Sequence, residues 1–232
     1  MVVLCPSRGR PDKAAEMVAS FRETTLRLDT TIVVVVDIDD PTLDGYTRHW
    51  PLGLPDRPYI MVLRRDETGD LVRATNTAAS RVWHDDDIIG HVGDDHRFRT
   101  VGWDRAITEA LASPGIAYGD DGHQRARLPT AVFMSAVIPR TLGWYALPGA
   151  HHLYIDRAWK TIGEVGGFLR YLPAVSIEHV HPMAGKADWD DGYRSANAPE
   201  MYAHDKAAYQ RWIAGRMEAD MGRVQAALRV AA

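Results

Sequence analysis

The apolar positions of this chain fall first into short continuous runs and only later into helical spacing. Val2, Val3, Leu4 and Cys5 predict a strand that stops at Pro6-Ser7-Arg8-Gly9-Arg10, a turn carrying two guanidinium groups. Pro11 and Asp12 then open a helix whose Ala14, Met17, Val18 and Phe21 share one face. Residues 31–36, Thr-Ile-Val-Val-Val-Val, predict a strand buried on both faces, as central parallel strands are. That run ends at Asp37-Ile38-Asp39-Asp40-Pro41. Strand, helix, strand in this order predicts a βαβ unit with a right-handed crossover. Residues 42–58, broken by Pro and Gly, read as a loop with a turn of helix. A third strand is predicted over 59–63. A turn at 67–70 leads into a helix that points Val72, Thr75, Ala79 and Val82 inward. The acidic triplet 85–87 reads as a solvated loop before a fourth strand, 88–92, which runs into Gly93-Asp94-Asp95-His96. A helix over 102–111 closes the regular part.

Beyond residue 113 the alternation loosens. Residues 115–121 predict a strand and turn, 130–138 a longer strand, and 143–149 a loop of small and aromatic residues. A helix is expected over 153–162 and a last strand over 171–181, ending in Glu178-His179-Val180-His181. Residues 188–193 read as a loop. Residues 200–230 carry one long amphipathic pattern, suited to packing on the body or on a second subunit. The prediction is an α/β fold with a mostly parallel central sheet flanked by helices and a C-terminal helical extension.

Composition narrows the classes. The 232 residues, 46% apolar, suit one sizeable domain, and a net charge of −4 gives no global basic field for nucleic acid. One cysteine, Cys5, excludes an intrachain disulfide framework and fits a reducing compartment. No apolar run approaches the roughly 18 residues of a membrane span. A cytoplasmic location is the expectation.

The chemistry gathers at strand ends. In an open α/β sheet, ligands bind outside the carboxyl ends of the strands. Asp94 and Asp95 stand at such an end, and adjacent carboxylates repel unless something positive sits beside them. A divalent cation carrying a phosphorylated ligand satisfies that need, although a solvated turn also tolerates two acids. His179 and His181, an i, i+2 pair on the last strand, point the same way and could add a ligand from the far half, with His181 preferred.

Four segments in order resemble a known family. They are the strand with Pro6-Ser7-Arg8-Gly9-Arg10-Pro11; the valine run ending in Asp37-Ile38-Asp39-Asp40; Asn76 within Arg73-Ala74-Thr75-Asn76-Thr77-Ala78-Ala79; and Ile89-Gly90-His91-Val92-Gly93-Asp94-Asp95-His96. Together they resemble a family 2 type glycosyltransferase of the GT-A fold, over roughly residues 1–185; the tail after 190 has no counterpart. The resemblance implies a single Rossmann-like domain, with a nucleotide-sugar-binding half (1–113) and an acceptor-binding half (114–190). Residues 191–232 follow as a loop and an amphipathic helix. It implies that Pro6, Ser7, Arg8, Asp37, Arg73, Asn76 and Asp94 bind a nucleotide-sugar donor, a UDP- or GDP-sugar. Asp95 and His96, the latter where the family carries another acid, would hold Mn²⁺ or Mg²⁺ together with His181; which of Asp95 and His96 is the direct ligand stays open. Asp156 matches the position of the catalytic carboxylate, at a helix start where an acid also serves as an N-terminal charge. The implied activity is inverting, metal-dependent transfer of a sugar to an acceptor hydroxyl on a glycan, lipid-linked glycan, protein or modified nucleic acid. A sugar-nucleotide or glycan-binding module without catalysis, or a metallohydrolase built on the same acids and histidines, are the alternatives. Lys186 and Arg194 are further candidates for holding diphosphate, and Trp144, Tyr145 and the Asp120–His123 turn for lining the cleft.

Overall fold

The computed structural model describes residues 1–50, 59–67, 69–84 and 87–231. The expectations for 51–58, and for Asp85 and Asp86, lie outside the described residues. One mixed sheet runs through the molecule in the strand order β3-β2-β1-β4-β7-β6-β8-β5. Its first half is β1 (Val2–Pro6), β2 (Thr31–Asp37), β3 (Tyr59–Leu63) and β4 (Ile88–His91), in which β1–β2, β2–β3 and β1–β4 pair in parallel. Helices α1 (Pro11–Thr24), α2 (Leu43–His49) and α3 (Leu71–Val82) connect these strands.

The valine run behaves as its composition dictates. Val33 and Val35 enter one apolar cluster with Ala78, Ala79 and Val82 of α3, while Ile32, Val34 and Val36 enter another with Met17, Val18 and Phe21 of α1. β1 divides the same way, Val2 and Leu4 to one side and Val3 and Cys5 to the other. Side chains alternate across a strand, so burial of both faces needs apolar residues at every position. Gly90 on β4 is set by close approach: a Cβ there would lie 2.6 Å from the ring of Phe133.

The second half departs from a parallel arrangement. β7 (Val132–Ser135) is antiparallel to both β4 and β6 (Ile116–Asp120), and β5 (His96–Phe98) is antiparallel to β8 (Leu169–His179). β6 and β8 pair in parallel there. The strand expected over 130–138 is therefore short. It gives way at Ala136 to a helix, α5 (Val137–Leu142), whose Ile138, Pro139 and Leu142 are buried. The helix α4 (Trp103–Ala110) follows β5, and α6 (Ile155–Gly166) precedes β8.

Residues expected to form a loop after 188 include a short helix, α7 (Asp191–Ala196), started by Asp190, whose side chain accepts the Tyr193 N–H at 2.9 Å. The long C-terminal pattern is two helices, α8 (Pro199–Gly215) and α9 (Met217–Ala231). Trp212 Nε1 donates to Asp220 Oδ2 at 2.9 Å across the break, with both residues buried. Ala208, Trp212, Met221 and Val224 complete the core on the α3 side, so the apolar face of this extension is used by the body itself. No helix among the described residues is long and apolar enough to cross a membrane.

Candidate active site

The sheet reverses its strand order at β1, which has β2 on one side and β4 on the other. This is where open α/β sheets leave a crevice. The two residues after β1 bridge it. Ser7 Oγ donates to Asp94 Oδ2 at 2.6 Å, on the β4 side, and Arg8 donates to Asp37 Oδ2 at 3.0 Å, on the β2 side. Asp37 and Asp94 are therefore linked through consecutive residues at the carboxyl end of β1.

Each carboxylate has a distinct setting. Asp37 also has a buried oxygen, Oδ1, that meets no hydrogen-bond donor. Burial raises its pKa and Arg8 opposes the shift. Asp94 sits in a relay: the Tyr46 hydroxyl accepts the Arg10 N–H at 2.9 Å and lies 2.8 Å from Ser7 Oγ. Since Ser7 gives its proton to Asp94, Tyr46 donates to Ser7. Burial and the neighbouring Asp95 push the Asp94 carboxyl up to about 6, against Ser7 and Arg10. Burial would raise Asp95 too, but His179 and His96 outweigh it and hold that carboxyl well below its usual range. Gly93 permits the fold-back, since a Cβ there would lie 2.6 Å from Asp95 Oδ1.

Asp95, His179 and His181 can each offer a ligand atom within 4.8 Å of the others. The Asp95 Oδ2 lies 3.2 Å from His179 Nε2 and accepts the Tyr193 hydroxyl at 3.0 Å. His179 Nδ1 is buried with no partner, and His181 Nδ1 accepts the Met183 N–H at 3.2 Å, which leaves its Nε2 for a ligand. Burial and the neighbouring His179 bring His181 down to about 4, so its imidazole is neutral, the form that binds metals. One carboxylate and two imidazoles whose ligand atoms converge in this way fit a divalent cation.

His96 falls outside this cluster. It pairs with His179 across β5 and β8, and its ring stacks on His179 at 4.3 Å. Its Nδ1 accepts the Gly93 N–H at 3.0 Å and its Nε2 lies 3.5 Å from the Thr130 hydroxyl. His96 Nδ1 also lies 3.4 Å from Asp95 Oδ1, so the ring borders the cluster, whose second imidazole is His179.

Other expected residues divide similarly. Pro6 ends β1 at the cleft. Asp156 lies in the first turn of α6, just after Tyr154, which holds a left-handed φ of 64°. Its Oδ1 accepts the Arg157 N–H at 2.7 Å; burial raises its pKa, and Arg157 and His179 pull it back. The Asn76 amide is consumed by the backbone: Oδ1 accepts from Tyr145 N at 2.7 Å and Ala146 N at 2.8 Å, and Nδ2 donates to Ala146 O at 2.8 Å. The exposed Arg73 guanidinium donates to Asp66 O. Lys186 and Arg194 pair with Glu178 at 2.8 Å and Asp191 at 3.4 Å. Trp144 and Tyr145 are core residues. Asp121 closes its own turn, accepting N–H groups of His123, Gln124 and Arg125 and the Thr130 hydroxyl.

Three contributors carry no sequence signal of their own: Tyr46, Tyr193 and Asp205. Buried Asp205 on α8 accepts the N–H groups of His151 at 2.9 Å, His152 at 2.9 Å and Leu153 at 2.6 Å, which fixes the approach to α6 and Asp156.

No protein-family model matches the chain, and no curated protein is significantly similar to it. Solved structures do match. A mannosyltransferase from Pyrobaculum calidifontis, in complex with GDP-Man and Mn²⁺, superposes with a TM-score of 0.64 at 15% identity, covering 99% of this chain and 74% of that one. Glucosyl-3-phosphoglycerate synthase from Mycobacterium tuberculosis, in complex with Mn²⁺, UDP and phosphoglyceric acid, gives 0.58 at 11% identity over 89% of this chain and 77% of that one. TarS from S. aureus gives 0.57 at 10% identity over 94% of this chain, which spans 44% of the TarS chain. The fold is that of the GT-A type nucleotide-diphospho-sugar transferases.

Proposed function

We propose that the chain is an inverting, metal-dependent glycosyltransferase that moves a sugar from a UDP- or GDP-sugar to an acceptor hydroxyl. The observation that carries this reading is the cleft bridged by Ser7 and Arg8. On one side it has a buried carboxylate oxygen of Asp37 without a donor; on the other it has Asp94 and the Asp95–His179–His181 cluster. An unpaired buried acceptor is costly to keep, and an N–H of a nucleobase would satisfy it. In this reading residues 1–113 hold the donor and 114–190 the acceptor.

The acceptor oxygen attacks the anomeric carbon while the bond to the diphosphate breaks on the opposite face, so the configuration inverts. The electron pair of the broken bond leaves with the diphosphate. Asp156 takes the acceptor proton as the new C–O bond forms. Its burial raises the carboxyl pKa and makes it a stronger base than a solvated aspartate. A divalent cation on Asp95, His179 and His181 would supply Lewis-acid stabilisation of the diphosphate oxygens. Two imidazoles in the set favour Mn²⁺ over Mg²⁺, which prefers oxygen ligands.

The test is thermal unfolding with a panel of nucleoside diphosphates with and without Mn²⁺, followed by a donor-hydrolysis screen across UDP- and GDP-sugars. One nucleotide should stabilise the chain in a Mn²⁺-dependent way, by about 2.7 kcal/mol at a hundredfold excess over Kd. Asp156→Asn should keep that stabilisation and lose transfer by a factor of about 10² or more. A flat response to every nucleotide sinks the reading.

A further inference from the structure

Two cations in the cleft play no part in the mechanism so far. Arg10 begins α1 and Lys13 lies in its first turn, where the helix end adds partial positive charge. Arg10 reaches Asp94 at 3.4 Å, so the pair stands beside the Asp95–His179–His181 cluster. Both also hold the same carboxylate. Arg10 donates to Asp190 Oδ1, and Lys13 Nζ donates to Asp190 Oδ2 at 2.9 Å. Asp190 comes from a segment 177 residues further along the chain than Lys13.

A guanidinium and an ammonium converging on a two-oxygen anion is also the arrangement that recognises a phosphate group. Asp190 is delivered as part of a unit. It caps α7 through the Tyr193 N–H, and the Tyr193 ring lies under the Arg10 guanidinium, 3.9 Å from its centre, with Lys13 Nζ at 4.5 Å. The hydroxyl of the same tyrosine donates to Asp95 Oδ2. One short helix thus sets a carboxylate on the cations and a hydroxyl on the acid of the cluster.

We propose that Arg10 and Lys13 bind the pyrophosphate of the donor, and that Asp190 is an internal stand-in for that anion. Pyrophosphate and Asp190 compete for the same two cations, and α7 shifts when the pyrophosphate takes them. A cation drawing on Asp95 Oδ2 weakens the Tyr193 contact as well, so metal and pyrophosphate favour the same displacement. The assignment rests on the glycosyltransferase reading for its donor, but its test does not need a sugar.

The experiment is calorimetric titration of the full chain with inorganic pyrophosphate in the presence of Mn²⁺. Asp190→Asn removes the competing charge and keeps a good helix cap; it should bind pyrophosphate about three- to tenfold more tightly. Asp191→Asn makes the same charge change next door, on a fully exposed side chain paired with Arg194, and should leave affinity where it is. Lys13→Met, on a side chain that is one-third exposed, should weaken binding about tenfold. Arg10→Met should weaken it further. Equal tightening in Asp190→Asn and Asp191→Asn overturns the proposal, as does unchanged affinity in Asp190→Asn or Lys13→Met, or no pyrophosphate binding in any form. If pyrophosphate follows the expected pattern while no nucleotide stabilises the chain, the site stands and the glycosyltransferase reading falls. Sugar transfer without that pattern removes this assignment alone.

Discussion

Asp37 and Asn76 stand at comparable places, the end of a strand and the inner face of the next helix but one, and were expected to share a ligand. Their side chains end in different states. Asp37 keeps an unpaired buried oxygen, whereas Asn76 spends its whole amide on Tyr145 and Ala146. Asn76→Ala should therefore cost roughly 2–3 kcal/mol in denaturant unfolding, since it strands two amide N–H groups and a carbonyl. Asp37→Asn should cost under about 1 kcal/mol, because Arg8 is half-exposed and its ion pair is screened, yet it should diminish nucleotide-dependent stabilisation. Equal losses of stability in the two variants would contradict this division. Both residues were legible as polar groups, Asp37 at a strand end and Asn76 within a helix. What Asn76 touches was not, because its partners lie 70 residues along the chain and no local period encodes them. His96 illustrates the same limit. Adjacent to two acids, it reads as a ligand, and no local pattern encodes that it pairs with His179 across two strands while its ring nitrogens meet Gly93, Asp95 and Thr130.

At the level of elements, the first half was readable because hydrophobic runs and turn residues agreed there. β1, β2, β3 and β4 fall close to where the apolar runs place them, and α1, α3 and α4 follow the helical spacing. The second half was harder. β5 has three residues, too few for any alternation to register, and α5 begins inside what looked like a continuous strand. The C-terminal pattern kept its apolar face through Arg216, so the break between α8 and α9 had no hydrophobic signature. That tail also matters to the site. Asp205 gathers three consecutive amides ahead of α6, a backbone nest around an anion. Asp205→Ala should lower stability by about 3 kcal/mol. It should also lower kcat more than KM for the donor, since what it loosens is the lead into Asp156 rather than the nucleotide cleft. Steady-state kinetics beside a thermal melt measures both; an unchanged kcat would confine Asp205 to structure.

For the molecule as a whole, buried histidines set the response to acid. Burial lowers the pKa of His91, to about 3, and of His96, His152 and His181, the last to about 4. The unfolded chain takes up these protons near pH 6.5 while the folded chain does not. Stability then rises with pH wherever the unfolded state binds more protons, and it should fall steadily as pH drops from about 6.5 toward 4. His179, raised because Asp95 outweighs its burial, and Asp94, raised by burial to about 6, shift the other way and offset part of the loss. His91, enclosed by Tyr145 and Trp159 with Nδ1 unpartnered, makes the cleanest probe. His91→Phe should flatten the acid limb of a midpoint-versus-pH curve, and an unaltered slope would assign the effect elsewhere. The long reach between Asp95 and His179, 84 residues, has one more consequence. As the chain emerges from the ribosome, its front strands can assemble and bring Asp37 and Asp94 together well before β8 exists. The grouping of Asp95 with His179 and His181 is completed late in synthesis, when β8 pairs with β5.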